Sequence, residues 1–206
     1  MSKELQRGII VSVQGFSSGT NNEICDAVID AGCCGIRTDK PIRNRNVPVI
    51  GLIKKKTDHK EQEAYITADI ESVKKVSEWA DYVAIDYRIV NHDIEQISEY
   101  CKTNKIKIIS DIRDIEDYFN ITSLGVYFDF VATTFSIFGR RFDPDLKLID
   151  KLKEAGCKKI IGEGNYSRYK DVRDAYRAGA YAMCIGGAIS DPYKLARRFT
   201  TIELDN

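Results

Sequence analysis

A lysine and a glutamate far apart in this chain are placed to move protons on a small molecule. Lys54 ends the run VPVIGLIK and Glu163 lies in KKIIGEGNY. Each closes an apolar, strand-like stretch and is followed by polar sequence. A neutral lysine can take a proton from carbon, and a carboxyl group can supply or hold a second one. Partial burial and a nearby positive charge, for which Arg37 is the candidate, would lower the lysine's pKa toward its neutral form. The competing reading of Glu163 is a structural ion pair at the rim of the fold. Lys55 and Lys56, which extend Lys54 into KKK, read as a solvated face.

The elements that must hold these residues follow from periodicity. Eight short apolar runs recur: 8–13, 34–37, 47–53, 82–87, 106–110, 128–134, 159–163 and 181–187. They are rich in Val and Ile and too short for helices. Between them lie ICDAVIDAG, IESVKKVSEWA, DIEQISEYCKTN, DIEDYFNITSLG, LKLIDKLKEAG and YKDVRDAYRAGA, whose apolar spacing is helical. Several end on glycine (Gly32, Gly125, Gly156, Gly179), as capped helices do. Continuous apolar strands alternating with amphipathic helices specify a parallel sheet covered by helices. Eight such units in 206 residues predict an α/β fold, a single (β/α)8 barrel spanning 1–206. A doubly wound open sheet is the alternative. The segment 38–46 is too short for a full helix, so the second unit is minimal.

In such a barrel the chemistry sits at the carboxyl ends of the strands. Reading those ends gives Gln14, Arg37, Lys54, Asp86, Asp111, Thr133 with Thr134, Glu163, and Gly186 with Gly187. Asp86 and Asp111 can orient sugar hydroxyls or hydrogen-bond a neighbouring loop. Arg37 can meet a phosphate or enolate oxygen, or pair with Asp86. Gly186 and Gly187 precede AISDPYKLARRF, a short helix whose N-terminus would favour an anion, and Gly164 could form a second rim.

Composition bounds the partners. The formal net charge is zero, which argues against a dedicated nucleic-acid binder. No apolar stretch approaches membrane-spanning length, and the N-terminus lacks signal-peptide character, so a cytoplasmic location is expected. Six cysteines without CxxC spacing read as reduced, mostly buried thiols. His59 and His92 read as solvent-facing, and no metal or cofactor site is expected. Apolar helix faces allow a homodimer without assigning its interface.

In order along the chain, the segments GIIVSVQ, CGIR with VPVIGLIK, EAYITADIESV, VAIDY, IISDIRDIED, FDFVATTFS, IIGEGN and AGAYAMCIGGAI resemble the N-acetylmannosamine-6-phosphate 2-epimerase family of bacterial sialic-acid catabolism. The resemblance implies a ribulose-phosphate-binding type of barrel with no cofactor. It implies an isomerase that interconverts N-acetylmannosamine-6-phosphate and N-acetylglucosamine-6-phosphate through an enediolate. It assigns Lys54 as acid/base at C2 and Glu163 as its partner. Gln14 and Asp111 match sugar-binding positions, and Arg37, Asp86 and Thr133 join them as expected substrate contacts. Gly164, Asn165, Gly186 and Gly187 form the expected phosphate cradle. One departure bears on the substrate: GGAISDP places Asp191 where the family carries an arginine. Arg168, Lys194 and Arg140 are the cations that could compensate. Two alternatives stay open, a related sugar or sugar-phosphate isomerase and a non-catalytic sugar-phosphate-binding barrel.

Overall fold

A parallel sheet that is apolar on both faces can hide both by closing on itself inside a coat of helices. The computed structural model describes residues 3–55, 65–67, 69–86, 94–134 and 143–200. Its elements are β1 (Ile9–Val13), α1 (Ser18–Asp30), β2 (Gly35–Thr38), β3 (Val49–Gly51), β4 (Lys54–Lys55), β5 (Tyr65–Ile66), α2 (Ile70–Ser77), β6 (Tyr82–Asp86), α3 (Ile94–Thr103), β7 (Lys107–Asp111), α4 (Ile115–Ser123), β8 (Phe130–Ala132), α5 (Leu146–Glu154), β9 (Ile160–Glu163), α6 (Tyr169–Ala178), β10 (Ala182–Ile185) and α7 (Pro192–Thr200). Eight parallel strands close in the order β1-β10-β9-β8-β7-β6-β3-β2. Closure excludes the open doubly wound sheet. The expected minimal second unit is present: 39–48 connects β2 to β3 without a helix.

Strand parity sorts the core into an inside and an outside. Ile10, Ile50, Tyr82, Ala84, Ile109, Phe130, Ala132, Ile161, Ala182 and Cys184 fill the barrel as one cluster. Their neighbours Val83, Ile85, Ile108, Val131, Ile160 and Met183 pack outward in the core shared with the helices. Each strand therefore reads as a continuous apolar run, because both of its faces are buried. The helices start where a side chain satisfies their first N–H groups: Ser17, Asp69, Asp114 and Asp145 each accept such a bond. The four glycines expected at helix ends all take positive φ.

The third strand differs from its sequence reading. The run 47–53 contributes only Val49–Gly51 to the barrel, and Lys54 lies on β4, which pairs antiparallel with β5. At Gly51 a Cβ would come within 2.6–2.7 Å of Val76, Trp79 and Ala80, so only glycine lets the end of α2 pack this closely. Beyond it, Ile53 N–H donates to Thr67 Oγ1 at 3.2 Å and Thr67 N–H donates to Ile53 O at 2.7 Å. Thr67 thus draws the chain out of the barrel and into the ribbon. His59, His92, Lys56 and Arg140 lie outside the described residues.

Candidate active site

The parity that puts Ile10, Ile50 and Ile109 inside also puts Ser12, Arg37, Asp86, Asp111, Thr134 and Glu163 on the inward face, at the carboxyl ends of their strands. Arg37 is at the centre. It is 2 % exposed and is the one buried lysine or arginine among the described residues. Its Nη1 and Nη2 donate to Asp111 Oδ1 and Oδ2 at 3.1 and 2.6 Å, a two-pronged, charge-assisted grip. Nη1 also lies 2.9 Å from Glu163 Oε2. The guanidinium is therefore taken up by Asp111 and Glu163, where the sequence offers Asp86 as one possible partner. Its Nε–H has no hydrogen-bond partner among the described residues.

Thr134 ties the carboxylates together from the other side. Its hydroxyl is 2.9 Å from Asp111 Oδ1 and 3.2 Å from Glu163 Oε2, with one proton to share between them. Thr133, expected as a substrate contact, has the opposite parity and is fully buried. Its hydroxyl accepts from Glu163 N–H and donates to Glu163 O, both at 3.0 Å, so it positions the strand that carries Glu163. Asp86 is fully buried on β6 in register with Asp111.

Two carboxyl groups thus meet one buried guanidinium, and the electrostatics follow. Burial pushes the Glu163 carboxyl above the usual carboxylate range; Arg37 opposes the shift and Asp111 adds to it. Burial works against the charge on Arg37, but Asp111 and Glu163 outweigh it and the guanidinium stays charged. Cys184 stands in register beside Glu163, and its thiol is held far above its ordinary range by burial first and by Glu163 second.

Lys54 sits differently. Its side chain is exposed on β4 and not half-buried beside Arg37 as expected, because the chain leaves the barrel after Gly51. The strand before it, β3, stands opposite Glu163's strand. In the ring of eight strands, β3 and β9 are four places apart in either direction.

The residues expected to cradle a phosphate lie on two loops. Gly164 and Asn165 both take left-handed backbone conformations, φ 98° and 59°, a turn that glycine and asparagine tolerate best. Gly186 O accepts from Ile189 N–H and Ser190 N–H, and Ser190 Oγ donates to Ser12 O at 2.5 Å, which ties this turn to β1. On the same side Gln14 Nε2 donates to Ser12 Oγ at 2.6 Å. Asp191 accepts the Lys194 N–H at 3.1 Å, and its other oxygen is 3.8 Å from Lys194 Nζ. The Lys194 side chain lies over Gly187, where a Cβ would meet its Cδ at 2.7 Å and its Nζ at 3.5 Å. Arg168 is turned toward Asp171, at 2.8 and 2.9 Å. Of the described candidate cations, Lys194 is the one at the rim.

Residues 22–203 match the family model described as "Putative N-acetylmannosamine-6-phosphate epimerase". The chain belongs to that family. A relative from Caldanaerobacter subterraneus, named "Putative N-acetylmannosamine-6-phosphate 2-epimerase", is 36% identical over 169 residues, covering 76% of this chain and 69% of the relative. A relative of the same name from Listeria monocytogenes is 27% identical, covering 96% and 95%. The solved structure of the N-acetylmannosamine-6-phosphate 2-epimerase from Clostridium perfringens superimposes with a TM-score of 0.83 at 24% identity, covering 97% of this chain and 94% of that one.

Within this family barrel, three site neighbours escape a reading of strand ends. Ser12 precedes the polar end of its strand, Cys184 reads as apolar core, and Lys194 lies beyond the last strand. Parity counted back from Gln14 and Gly186 is the signal that finds the first two, since both share the inward face.

Proposed function

We propose that this chain interconverts N-acetylmannosamine-6-phosphate and N-acetylglucosamine-6-phosphate by moving a proton at C2, without a cofactor, in the cytoplasm and as a homodimer. One observation carries the reading: the Glu163 carboxyl on β9 and a lysine on the segment leaving β3 belong to opposed strands of the closed barrel. Inversion at carbon needs a proton taken from one face and returned to the other. Opposed strands supply that geometry, and a pair on one strand would not.

In the open-chain sugar, C2 is α to the aldehyde and its hydrogen is acidic. Lys54 takes that proton, and the C–H electrons move into an enediolate. Glu163 delivers its proton to the other face of C2 and becomes the carboxylate that Arg37 and Thr134 already contact. One C–H bond breaks and one forms; Lys54 ends as ammonium and Glu163 as carboxylate, and exchange with solvent resets both. Lys54 is exposed in the free protein, so the burial that favours its neutral form comes with bound sugar. Arg37 Nε–H is left to donate to a substrate oxygen. Asp86 and Asp111 face sugar hydroxyls, Gln14 lies at the mouth, and Gly164, Asn165, Gly186 and Gly187 receive the phosphate.

The test is C2 exchange. N-acetylmannosamine-6-phosphate incubated with the protein in D2O should lose its C2 proton signal and yield the epimer by NMR. Absence of both exchange and epimer overturns the reading. Asp191 supports a second reading, a sugar lacking the phosphate, because a carboxylate at the rim repels an anion. Faster turnover of free N-acetylmannosamine than of its phosphate would select it.

A further inference from the structure

Ser12 stands where three parts of the site meet. Its neighbours Val11 and Val13 pack outward in the cluster that includes Cys25 of α1, so alternation turns Ser12 inward. On one side it is in register with Arg37 of β2. On the other it faces Gly186, where a Cβ would come within 3.4 Å of Ser12 Cβ and 3.7 Å of its Oγ. Beyond it, Gln14 Nε2 donates to Ser12 Oγ at 2.6 Å. Ser12 and Gln14 are both half-buried, unlike the sealed side chains of the barrel core.

The residue acts through two different atoms. Its hydroxyl oxygen fixes Gln14. A glutamine amide has a donating NH2 end and an accepting carbonyl end, and rotation exchanges their places. The bond from Nε2 to Ser12 settles that rotation and turns the carbonyl end, Oε1, away from the serine. The main-chain carbonyl of Ser12 fixes another part of the rim. Ser12 O accepts from Ser190 Oγ at 2.5 Å, and the same hydroxyl lies 3.2 Å from Gly186 O. The turn that carries Gly186 and Gly187 is tied to β1 by this one bridge. Size matters as well: with Gly186 so close, a longer side chain bearing the same acceptor would press on the turn.

On the basis of the C2 epimerisation proposed for this site, we infer that Ser12 is a positioning residue: its side chain holds Gln14 as an acceptor for a sugar O–H or N–H, and its main chain holds the phosphate-side turn. One residue of β1 thereby sets the span between the contacts for the two ends of a sugar phosphate. Because the two tasks fall to separate atoms, their effects are separable. A serine that only filled space would not separate them.

Two single substitutions divide the atoms. Ser12→Ala removes the Oγ acceptor and keeps the carbonyl. Ser190→Ala releases the turn and keeps the Gln14 bond. Ser12→Ala should raise KM for N-acetylmannosamine-6-phosphate about fivefold, the worth of one hydrogen bond, with kcat within about twofold. Two NMR readouts need no activity. The Gln14 side-chain amide signals, assigned by their loss in Gln14→Leu, should move toward those of an exposed glutamine in Ser12→Ala and stay in place in Ser190→Ala. Titration with inorganic phosphate, followed at the Gly186 and Gly187 backbone amides, should be weakened several-fold by Ser190→Ala and unchanged by Ser12→Ala. Gln14 signals that do not move in Ser12→Ala overturn the inference, as does an effect of Ser12→Ala on kcat alone. So does a wild type whose turn takes no phosphate, or a Ser190→Ala variant that binds it as well as wild type. A wild type without C2 exchange overturns the epimerase reading instead, and the two NMR readouts then still decide what Ser12 holds.

Discussion

Arg37 Nη1 lies 2.9 Å from Glu163 Oε2 while the same guanidinium grips both oxygens of Asp111. One buried cation thus holds two carboxyl groups from β7 and β9. Removing it leaves Asp111 uncompensated in a site it cannot leave. Arg37→Met should destabilise the fold by about 3–5 kcal/mol at neutral pH, the cost of orphaning a buried charge. Part of the loss should return at low pH as the carboxylates take up protons. Urea titrations at the two pH values check this; a loss under about 1 kcal/mol would mean that the barrel rim relaxes around the missing guanidinium.

Glu163 makes the fold pH-dependent in a defined direction. Its carboxyl is raised above the ordinary value of 4.5, by burial first, so the fold prefers the protonated form. The stability it contributes is complete below pH 4.5 and is lost as pH rises through the raised native value. Glu163→Gln removes that dependence. The stability of the variant relative to wild type should therefore climb from pH 4.5 toward neutrality, while C2 exchange falls by at least 100-fold. A stability difference that stays flat with pH would refute a raised carboxyl.

Much of this site is legible in the strand ends, for a physical reason. Each barrel strand is apolar on both faces until it reaches the mouth, so the acid that closes YVAID, KIISD or KKIIGE marks the rim. Arg37, Asp86, Asp111 and Glu163 are all found that way. Lys54 is misplaced by the same rule, because Leu52 and Ile53 keep the run apolar after the barrel strand has ended at Gly51. What bends the chain there is Thr67, a contact distant in sequence. The pair Thr133–Thr134 fails for another reason: both are polar, and only parity counted from Phe130 tells inward from outward. Helix α1 begins at Ser18, ahead of the apolar spacing that starts at Ile24, since its first turn is polar and is set by the Ser17 cap.

The two threonines separate support from chemistry. Thr133 makes two 3.0 Å bonds to the backbone of Glu163, and the Thr134 hydroxyl meets the side-chain carboxyls of Asp111 and Glu163. Thr133→Val should cost about 1–3 kcal/mol of stability, because it leaves a buried backbone N–H without its partner. Thr134→Val should cost less and should instead lower kcat and displace the pH optimum. Equal stability losses from both would show that the bridge is as structural as the anchor.

Lys54 gives the converse pattern. It is exposed on a two-residue strand outside the barrel. Lys54→Ala should leave thermal stability within about 0.5 kcal/mol of wild type, as exposed substitutions do. The same change should abolish C2 exchange in D2O. Retained exchange would remove Lys54 from the proposed chemistry and leave Glu163 without an opposed base.

Asp191 and Lys194 decide how the rim meets an anion. Asp191 accepts the Lys194 N–H at 3.1 Å, which starts α7, and its second oxygen is 3.8 Å from the Lys194 ammonium that lies over Gly187. The capping bond needs only an acceptor, and asparagine keeps one. Asp191→Asn should therefore preserve the helix start while removing a negative charge worth about 1 kcal/mol at a solvated rim. KM for the phosphorylated sugar should fall about fivefold, with KM for the free sugar unchanged. Lys194→Ala should raise the first and leave the second alone. If both substitutions move the two sugars equally, the phosphate does not sit at this turn.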